Sequence, residues 1–169
     1  VFDGGSFALN AHGALAHQMG VFDEEMRVVE LEDKGEGWKI IKGEMTVLPD
    51  AWEQDYRCMV EALRDYMGKT GFKKVLLGLS GGIDSAIVAT IAVDALGAEN
   101  VRCVMLPSEY TSEASLKDAK DIATRLGCHY DIVPIKAGRD AVTETLAPLF
   151  EGYASDVTEE KIQTRLRGL

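Results

Sequence analysis

The sequence lacks the features that mark secreted and membrane-spanning proteins. Its longest apolar run follows Ser85 and is interrupted by Asp94, so it stays short of the roughly 18 residues that a membrane helix needs. The chain opens with VFDGGS, which is not the basic segment of a signal peptide. Cys58, Cys103 and Cys128 form no CxxC pair, and their wide spacing predicts free thiols in a reducing compartment. We therefore expect a cytoplasmic protein with no membrane partner.

Positive charge is also scarce. The 169 residues contain 18 Lys and Arg against 28 Asp and Glu, which gives a formal net charge of −10. Because nucleic-acid binding is led by phosphate contacts from Lys and Arg, this balance argues against a nucleic-acid partner. It leaves open a local anion site built from backbone N–H groups. The 46% hydrophobic and 27% charged residues are typical of a globular protein.

The first 48 residues predict β structure. The segments SFALN and ALAHQMG flank the turn AHG, and MRVVELE and WKIIKG flank a second Gly-containing turn. His12 and His17 lie here without Cys or carboxylate partners at metal-ligand spacing, so we interpret them as ordinary structural residues. Val1 lies within a strand-like segment and Leu169 within a helical pattern, and we expect the chain to be part of a longer protein.

The remainder predicts an α/β fold. An apolar stripe with helical spacing runs from Trp52 to Met67, after a candidate cap at Asp50 and before Gly68 or Gly71, and we expect that stripe in the core. Strand-like and helical patterns then alternate, which predicts right-handed crossovers and a parallel sheet with helices on both faces. The strands are predicted at 74–80, 100–107 and 129–135, and the helices at 84–97, 111–127, 138–149 and from residue 158 onward.

The loop GLSGGIDS lies where the first of these strands meets a helix, at the sheet edge where such folds bind ligands. Gly81 and Gly82 allow a tight turn and close approach of an anion, and the helix N-terminus adds N–H donors. The loop does not match two familiar phosphate-binding motifs. It lacks the Lys of the P-loop signature GxxxxGK[ST], and Ser80 stands where the dinucleotide-binding motif GxGxxG requires a second Gly. Asp84 would repel a phosphate unless a cation such as Mg²⁺ lay between them. The alternative is that Asp84 caps the helix and the glycines merely turn the chain.

Several segments resemble one family. SGGIDS after a strand resembles the PP-loop of ATP pyrophosphatases, which implies an adenine nucleotide alpha hydrolase-like fold. MLPSEYTSEASLKDAKDIATRLG and DVTEEKIQTRLRG resemble the synthetase domain of glutamine-dependent NAD⁺ synthetases, and VFDGGSFALNAHG resembles the end of their nitrilase-like glutaminase domain. We therefore expect residues 1–48 to be the C-terminal remnant of the nitrilase-like domain. Residues 49–169 would then form the synthetase domain, cut short at its C-terminus.

The resemblance implies roles for individual residues. Met105 to Ser108 would lie near the adenosine, and Asp84 would contact Mg²⁺. Lys161 and Arg165 would touch deamido-NAD⁺, although Lys161 stands where the family has Asn and so offers a charge instead of an amide. Without the resemblance, these two residues would be interpreted as a solvated helix face with ion pairs. Position 109 also departs from the family pattern, because Glu109 stands where the family usually has Arg or a neutral residue. The ATP-binding residues implied are Gly78, Leu79, Ser80, Gly81, Gly82, Ile83, Asp84 and Ser85.

The implied activity is that of a ligase. The family amidates deamido-NAD⁺ to NAD⁺ through an NAD-adenylate, with release of AMP and pyrophosphate, and with glutamine or ammonia as the nitrogen source. ATP would be the co-substrate, Mg²⁺ the cofactor and a homo-oligomer the assembly. The glutaminase residues would lie upstream of Val1, so we expect these 169 residues alone to be inactive. The alternatives are another PP-loop amidotransferase, such as GMP synthetase, and a non-catalytic ATP-binding module.

Overall fold

The computed structural model describes residues 3–33, 35–109, 111–152 and 157–168. Within the last range, the side chains are described only from residue 161 onward. The chain divides into two compact units, Val1–Tyr66 and Met67–Leu169. The predicted domain division between residues 48 and 49 stays a prediction. None of the helices in the described ranges combines the length and apolar character needed to cross a bilayer.

The first unit contains two antiparallel hairpins, as the sequence predicts. The AHG segment forms a 3-10 turn between the first two strands. The second hairpin is shorter than predicted, because its first strand begins at Glu30 and leaves Met26 outside the ladder. The four strands are Phe7–Leu9 (β1), Leu15–Gln18 (β2), Glu30–Asp33 (β3) and Trp38–Lys42 (β4).

Gly43 allows two backbone segments of this unit to approach closely. A Cβ atom on Gly43 would lie 2.1 Å from the carbonyl oxygen of Ala16, so any other residue would force the segments apart. Beside this contact, the N–H of Glu44 donates to Nδ1 of His17 at 2.9 Å. His17 is only 5% exposed. This bond supports the interpretation of His17 as a structural residue, because it occupies the ring nitrogen that would otherwise be a free acceptor.

The second unit contains a three-stranded parallel sheet in the order β5-β6-β7, which confirms the predicted architecture. The register places Leu77 beside Cys103, and Cys103 beside Tyr130. The observed boundaries agree with the predicted alternation to within a few residues. The helix Ala51–Thr70 (α1) has residues in both units. The elements that follow it are Val75–Gly78 (β5), Ile83–Leu96 (α2), Val101–Met105 (β6), Glu113–Leu126 (α3), His129–Ile132 (β7), Lys136–Leu146 (α4) and Val157–Arg167 (α5).

Side-chain caps begin two of the helices. Oδ1 of Asp50 accepts the N–H of Glu53 at 2.9 Å, as the candidate cap for α1 should. Oγ of Ser112 accepts the N–H of Ser115 at 3.1 Å, which starts α3 two residues later than the pattern suggested. These bonds satisfy N–H groups that have no partner within the helix.

The core of the second unit lies between the sheet and the helices α2 and α3. Val101 and Cys103 of β6 are 1% and 0% exposed, and burial raises the pKa of the Cys103 thiol to about 12. The helices contribute small buried residues, such as Ala89 and Ala119, which let them pack closely. The core prediction for α1 is only partly right, because Met67 is buried whereas Trp52 and Met59 are 84% and 44% exposed.

Two glycine substitutions should change stability in opposite directions. Gly43→Ala places a methyl group against the Ala16 carbonyl and should lower the free energy of unfolding by about 1–3 kcal/mol, as overpacking does. Gly68→Ala lies in α1 with no neighbour near the new Cβ and should raise it by about 0.5–1 kcal/mol through helix propensity. Urea unfolding of the complete polypeptide containing this chain measures both, and equal midpoints for the two variants would contradict the close approach.

Candidate functional site

The glycine-rich loop lies at the carboxyl edge of the parallel sheet. It leaves β5 at Gly78 and enters α2 at Ile83. Leu79 anchors the loop, because this side chain is 1% exposed and its N–H donates to the carbonyl of Val104 at 2.9 Å. The next residue, Ser80, is exposed. The structure thus brings the predicted phosphate-binding segment together at the edge where open α/β sheets bind ligands.

Two hydroxyl groups hold the shape of this loop. Oγ of Ser80 lies 3.0 Å from Oγ of Ser85, and the N–H of Ser80 donates to that same Ser85 oxygen at 3.2 Å. Gly82 contributes at both ends, since its N–H donates to Ser80 Oγ at 3.3 Å and its carbonyl accepts from Ser85 Oγ at 2.9 Å. These bonds bridge the start of the loop and the first turn of α2. The N–H groups of that first turn have no helical carbonyl to pair with and can serve an anion.

Gly81 is the tightest point of the loop. Its φ is +84°, which side chains other than glycine rarely adopt, and a Cβ there would lie 2.4 Å from the carbonyl oxygen of Ser115. The loop therefore packs directly against the N-terminal turn of α3. This contact couples the positions of the two helix N-termini that border the site.

The loop opens into a cavity of about 370 Å³. Three serine and threonine residues around the start of α3 line this space, and none of them was among the predicted site residues. The signal that could have found them is their position, directly after β6 at the same sheet edge. Of the segment expected near adenosine, Met105 and Leu106 line the cavity. The lining residues are Gly78, Leu79, Ser80, Val104, Met105, Leu106, Thr111, Ser112, Ser115 and Arg167.

Asp84 is exposed in the first turn of α2, and the N-cap position is held by Gly82. Asp84 is therefore not the N-cap residue, and its carboxylate in the first turn favours the helix through the helix dipole. No hydrogen bond or ion pair within the described ranges uses its carboxylate, and those ranges contain no cluster of three metal-ligating side chains. A single carboxylate nevertheless suits Mg²⁺, which commonly takes one or two carboxylates and completes its shell with phosphate oxygens and water.

The structure does not bring Lys161 and Arg165 to the loop. Both are exposed on α5, and neither lines the loop cavity. At about 100° per residue, positions 161 and 165 share one face of the helix, whereas 163 and 167 share the opposite face. Gln163 on that opposite face is 6% exposed, and Arg167 lines the cavity. The alternative ion pairs with residues 159 and 160 involve side chains outside the described residues.

Glu109 forms an ion pair with α4. Its carboxylate accepts two hydrogen bonds from Arg139, at 2.5 and 3.3 Å, and Arg139 also donates to Asp140. Hydrogen bonds from Lys136, and then from Arg139, lower the pKa of Asp140. The cluster borders a second cavity, of about 420 Å³, that Gln163 also lines. The acidic residue at position 109 thus ties the segment after β6 to α4.

Comparison with known proteins agrees with these features. A family model described as NAD synthase matches residues 55–169. The chain is 54% identical to the glutamine-dependent NAD(+) synthetase of Rhodobacter capsulatus, over 100% of this chain and 31% of that protein. Its structure is similar to glutamine-dependent NAD⁺ synthetase from Acinetobacter baumannii in complex with ADP, with a TM-score of 0.93 and 40% identity over 99% of this chain and 32% of that one.

A shorter relative shares part of the chain. The NH3-dependent NAD synthetase from Campylobacter jejuni, solved with a nitrate ion, has a TM-score of 0.62 and 29% identity over 71% of this chain and 50% of that one. The present chain spans 31% of the length of the Rhodobacter capsulatus relative. Since the family model matches more than half of the chain and the loop lies where the motif predicts, this chain belongs to the NAD synthase family.

Proposed function

We propose that this chain supplies the ATP-phosphate site of a ligase that amidates deamido-NAD⁺ to NAD⁺. The observation that carries the proposal is the exposed loop at the carboxyl edge of β5, shaped by Ser80 and Ser85 and followed by the free N-terminus of α2. Membership of the NAD synthase family supports the choice of substrate. The relatives named above are NAD synthetases, which favours this proposal over GMP synthetase or a non-catalytic ATP-binding module.

The first step would join the nicotinic-acid carboxylate to ATP. A carboxylate oxygen attacks the α-phosphorus, and the bond from that phosphorus to the bridging oxygen breaks. Pyrophosphate leaves with the electron pair, and negative charge grows on it. The N–H groups of the first turn of α2 would donate to this departing group and stabilise its charge, while the hydroxyls of Ser80 and Ser85, which bond within the loop, hold that turn in place. The loop makes this possible without a lysine in its sequence.

Mg²⁺ fits this site through Asp84. When bound, the ion would neutralise phosphate charge and polarise the bond that breaks. The carboxylate of Asp84 is exposed in the first turn of α2 and has no described partner that would compete for it. Its negative charge beside a phosphate site is otherwise unfavourable, so a cation between the two groups gives the residue a role.

The second step would bring ammonia to the adenylate. Ammonia attacks the acyl carbon, the acyl–phosphate bond breaks with its electron pair leaving on AMP, and the nitrogen loses a proton to give the amide of NAD⁺. Glutamine hydrolysis in a nitrilase-like domain would supply the ammonia, and a homo-oligomeric cytoplasmic enzyme completes the proposal. Lys161 and Arg165 would bind deamido-NAD⁺ from the outward face of α5, since both are exposed there. Family membership supports these assignments, which no contact within the chain tests.

Replacing Asp84 should separate the metal role from stability. In the complete polypeptide, Asp84→Asn should lower pyrophosphate release by about two to three orders of magnitude, because one charge-stabilising contact is lost. The Mg²⁺ dependence of ATP affinity should weaken in parallel. The unfolding midpoint should change little, since the side chain is exposed. Asp118→Asn, an exposed residue of α3, is the matched control, and near-normal turnover of Asp84→Asn at saturating Mg²⁺ would refute the role.

Replacing Gly81 should disrupt the loop itself. Gly81→Ala combines an unfavourable φ with a contact 2.4 Å from the Ser115 carbonyl, so the loop must move away from α3. We expect ATP affinity, measured by calorimetry, to fall at least about tenfold, which corresponds to roughly 1.4 kcal/mol. Gly127→Ala is the control, because Gly127 also has a positive φ of +70° but its new Cβ would meet only the Ala98 Cβ at 3.9 Å. Unchanged ATP affinity in Gly81→Ala would show that the loop does not contact the nucleotide.

A further inference from the structure

Arg167 is the charged residue of the loop cavity. Among the described residues that line this space, all the others are apolar, hydroxyl-bearing or glycine. The loop lacks the lysine that P-loops place on their phosphates. A nucleotide triphosphate bound here would therefore meet one guanidinium and a set of neutral donors. Arg167 is therefore the one cationic side chain available to a phosphate among the described lining residues, which the loop motif by itself does not indicate.

The guanidinium is held by one of its nitrogens. Nε of Arg167 donates to the carbonyl of Leu106, at 3.4 Å, just beyond the end of β6. No acceptor within the described ranges uses its two Nη groups. An arginine anchored in this way keeps a pair of donors in a planar fork, which matches the oxygens of a phosphate group.

The direction of the side chain follows from the packing of α5. Leu166 contacts α4 at Gly138, where an added Cβ would lie 3.6 Å from its Cδ2 atom. Gln163, one turn before Arg167, is 6% exposed. These contacts turn the face that carries positions 163 and 167 toward the rest of the second unit, to which α5 belongs. Arg165, on the other face, is exposed and does not line the cavity.

We propose that Arg167 binds the α-phosphate of ATP and of the adenylate, an inference that rests on the proposed function. The glycine-rich loop forms one wall of the cavity, and we place the departing pyrophosphate beside it. The end of β6, at Met105 and Leu106, takes another wall and suits the nucleoside. Arg167 is bonded to that second wall, so its Nη groups lie on the nucleoside side, where the α-phosphate must pass.

This position suits the reaction chemically. When the carboxylate oxygen bonds to the α-phosphorus and the bond to the leaving pyrophosphate breaks, charge builds on the non-bridging oxygens. A guanidinium donating to these oxygens stabilises the transition state more than the ground state, which is what accelerates a chemical step. The proposed role of Arg167 needs only hydrogen-bond donation and no proton transfer. Arg167 also remains paired with the product AMP until release.

A purely structural role predicts something different. The bond to Leu106 also fastens α5 to the end of β6, and losing it could shift the whole cavity wall. In that case the affinities of adenosine, AMP and ATP would fall together, and thermal stability would fall with them. An α-phosphate contact instead affects only ligands that carry this phosphate. The affinity ratio of AMP to adenosine therefore separates the two roles.

The experiment uses the complete polypeptide with Arg167→Gln, Arg167→Lys and the control Arg125→Gln, an exposed arginine at the end of α3. Calorimetry gives the affinities for adenosine, AMP and ATP, and a pyrophosphate assay gives turnover. We expect Arg167→Gln to remove the preference for AMP over adenosine and to lower kcat by about 10²–10³-fold, the usual loss for one charge-stabilising donor. Arg167→Lys should recover part of both, and Arg125→Gln should behave as the wild type.

The inference is overturned if adenosine, AMP and ATP weaken equally, or if the AMP preference survives in Arg167→Gln. If Arg167→Gln fails to fold, Arg167→Lys decides the question. It keeps the positive charge but loses the paired guanidinium donors, so its affinity for AMP relative to adenosine should be lower than that of the wild type. A wild-type polypeptide that binds AMP through Arg167 yet makes no NAD⁺ would refute the proposed function and leave this inference standing. Normal NAD⁺ synthesis by the wild type, together with an unchanged AMP preference in Arg167→Gln, would refute this inference and leave the proposed function standing.

Discussion

The site depends on one close approach, that of Gly81 to the Ser115 carbonyl. Because no Cβ intervenes, the loop after β5 lies directly on the first turn of α3. The contact brings two helix N-termini to the same edge of the sheet, one following β5 and one following β6. It also closes one side of the cavity whose other walls come from the end of β6 and from α5. A side chain at position 81 would separate these parts.

The proposed phosphate site is compatible with an acidic chain because the net charge of the chain is not the local charge at the cavity. The formal net charge of −10 is spread over the whole sequence. The cavity itself is lined by backbone, by serine and threonine hydroxyls and by Arg167, without a described carboxylate. Asp84 lies nearby, in the first turn of α2. A bound metal ion would be coordinated by its carboxylate and would remove the repulsion between that carboxylate and a phosphate. Ionic strength should matter less for such a site than for a broad basic surface.

The helix α5 has two faces with different consequences. The inward face carries Gln163, which is buried, and Arg167, which is exposed and lines the loop cavity. The outward face carries Lys161 and Arg165, which are exposed. If both faces bind ligands, as the proposals above require, one helix connects the nucleotide site with a separate surface for the second substrate. The ion pair between Glu109 and Arg139 supports this arrangement by fixing α4, on which α5 packs.

The sequence by itself determined the features that depend on neighbouring residues. The alternation of strand and helix patterns predicted the parallel sheet, and Asp50 marked the start of α1 through a local hydrogen bond. The loop from Gly78 to Ser85 could be predicted for the same reason, since its glycines and serines act within one turn of each other.

Only the tertiary structure decided which distant residues meet. Arg165 and Arg167 look equivalent in the sequence and both are exposed, but the packing of α5 makes only Arg167 line the loop cavity. The role of Ser115 beside Gly81, and the exposure of Trp52 in an apparently apolar stripe, were equally invisible. Periodicity reports which side chains share a face, but the partner of that face is set by contacts between segments far apart in the chain.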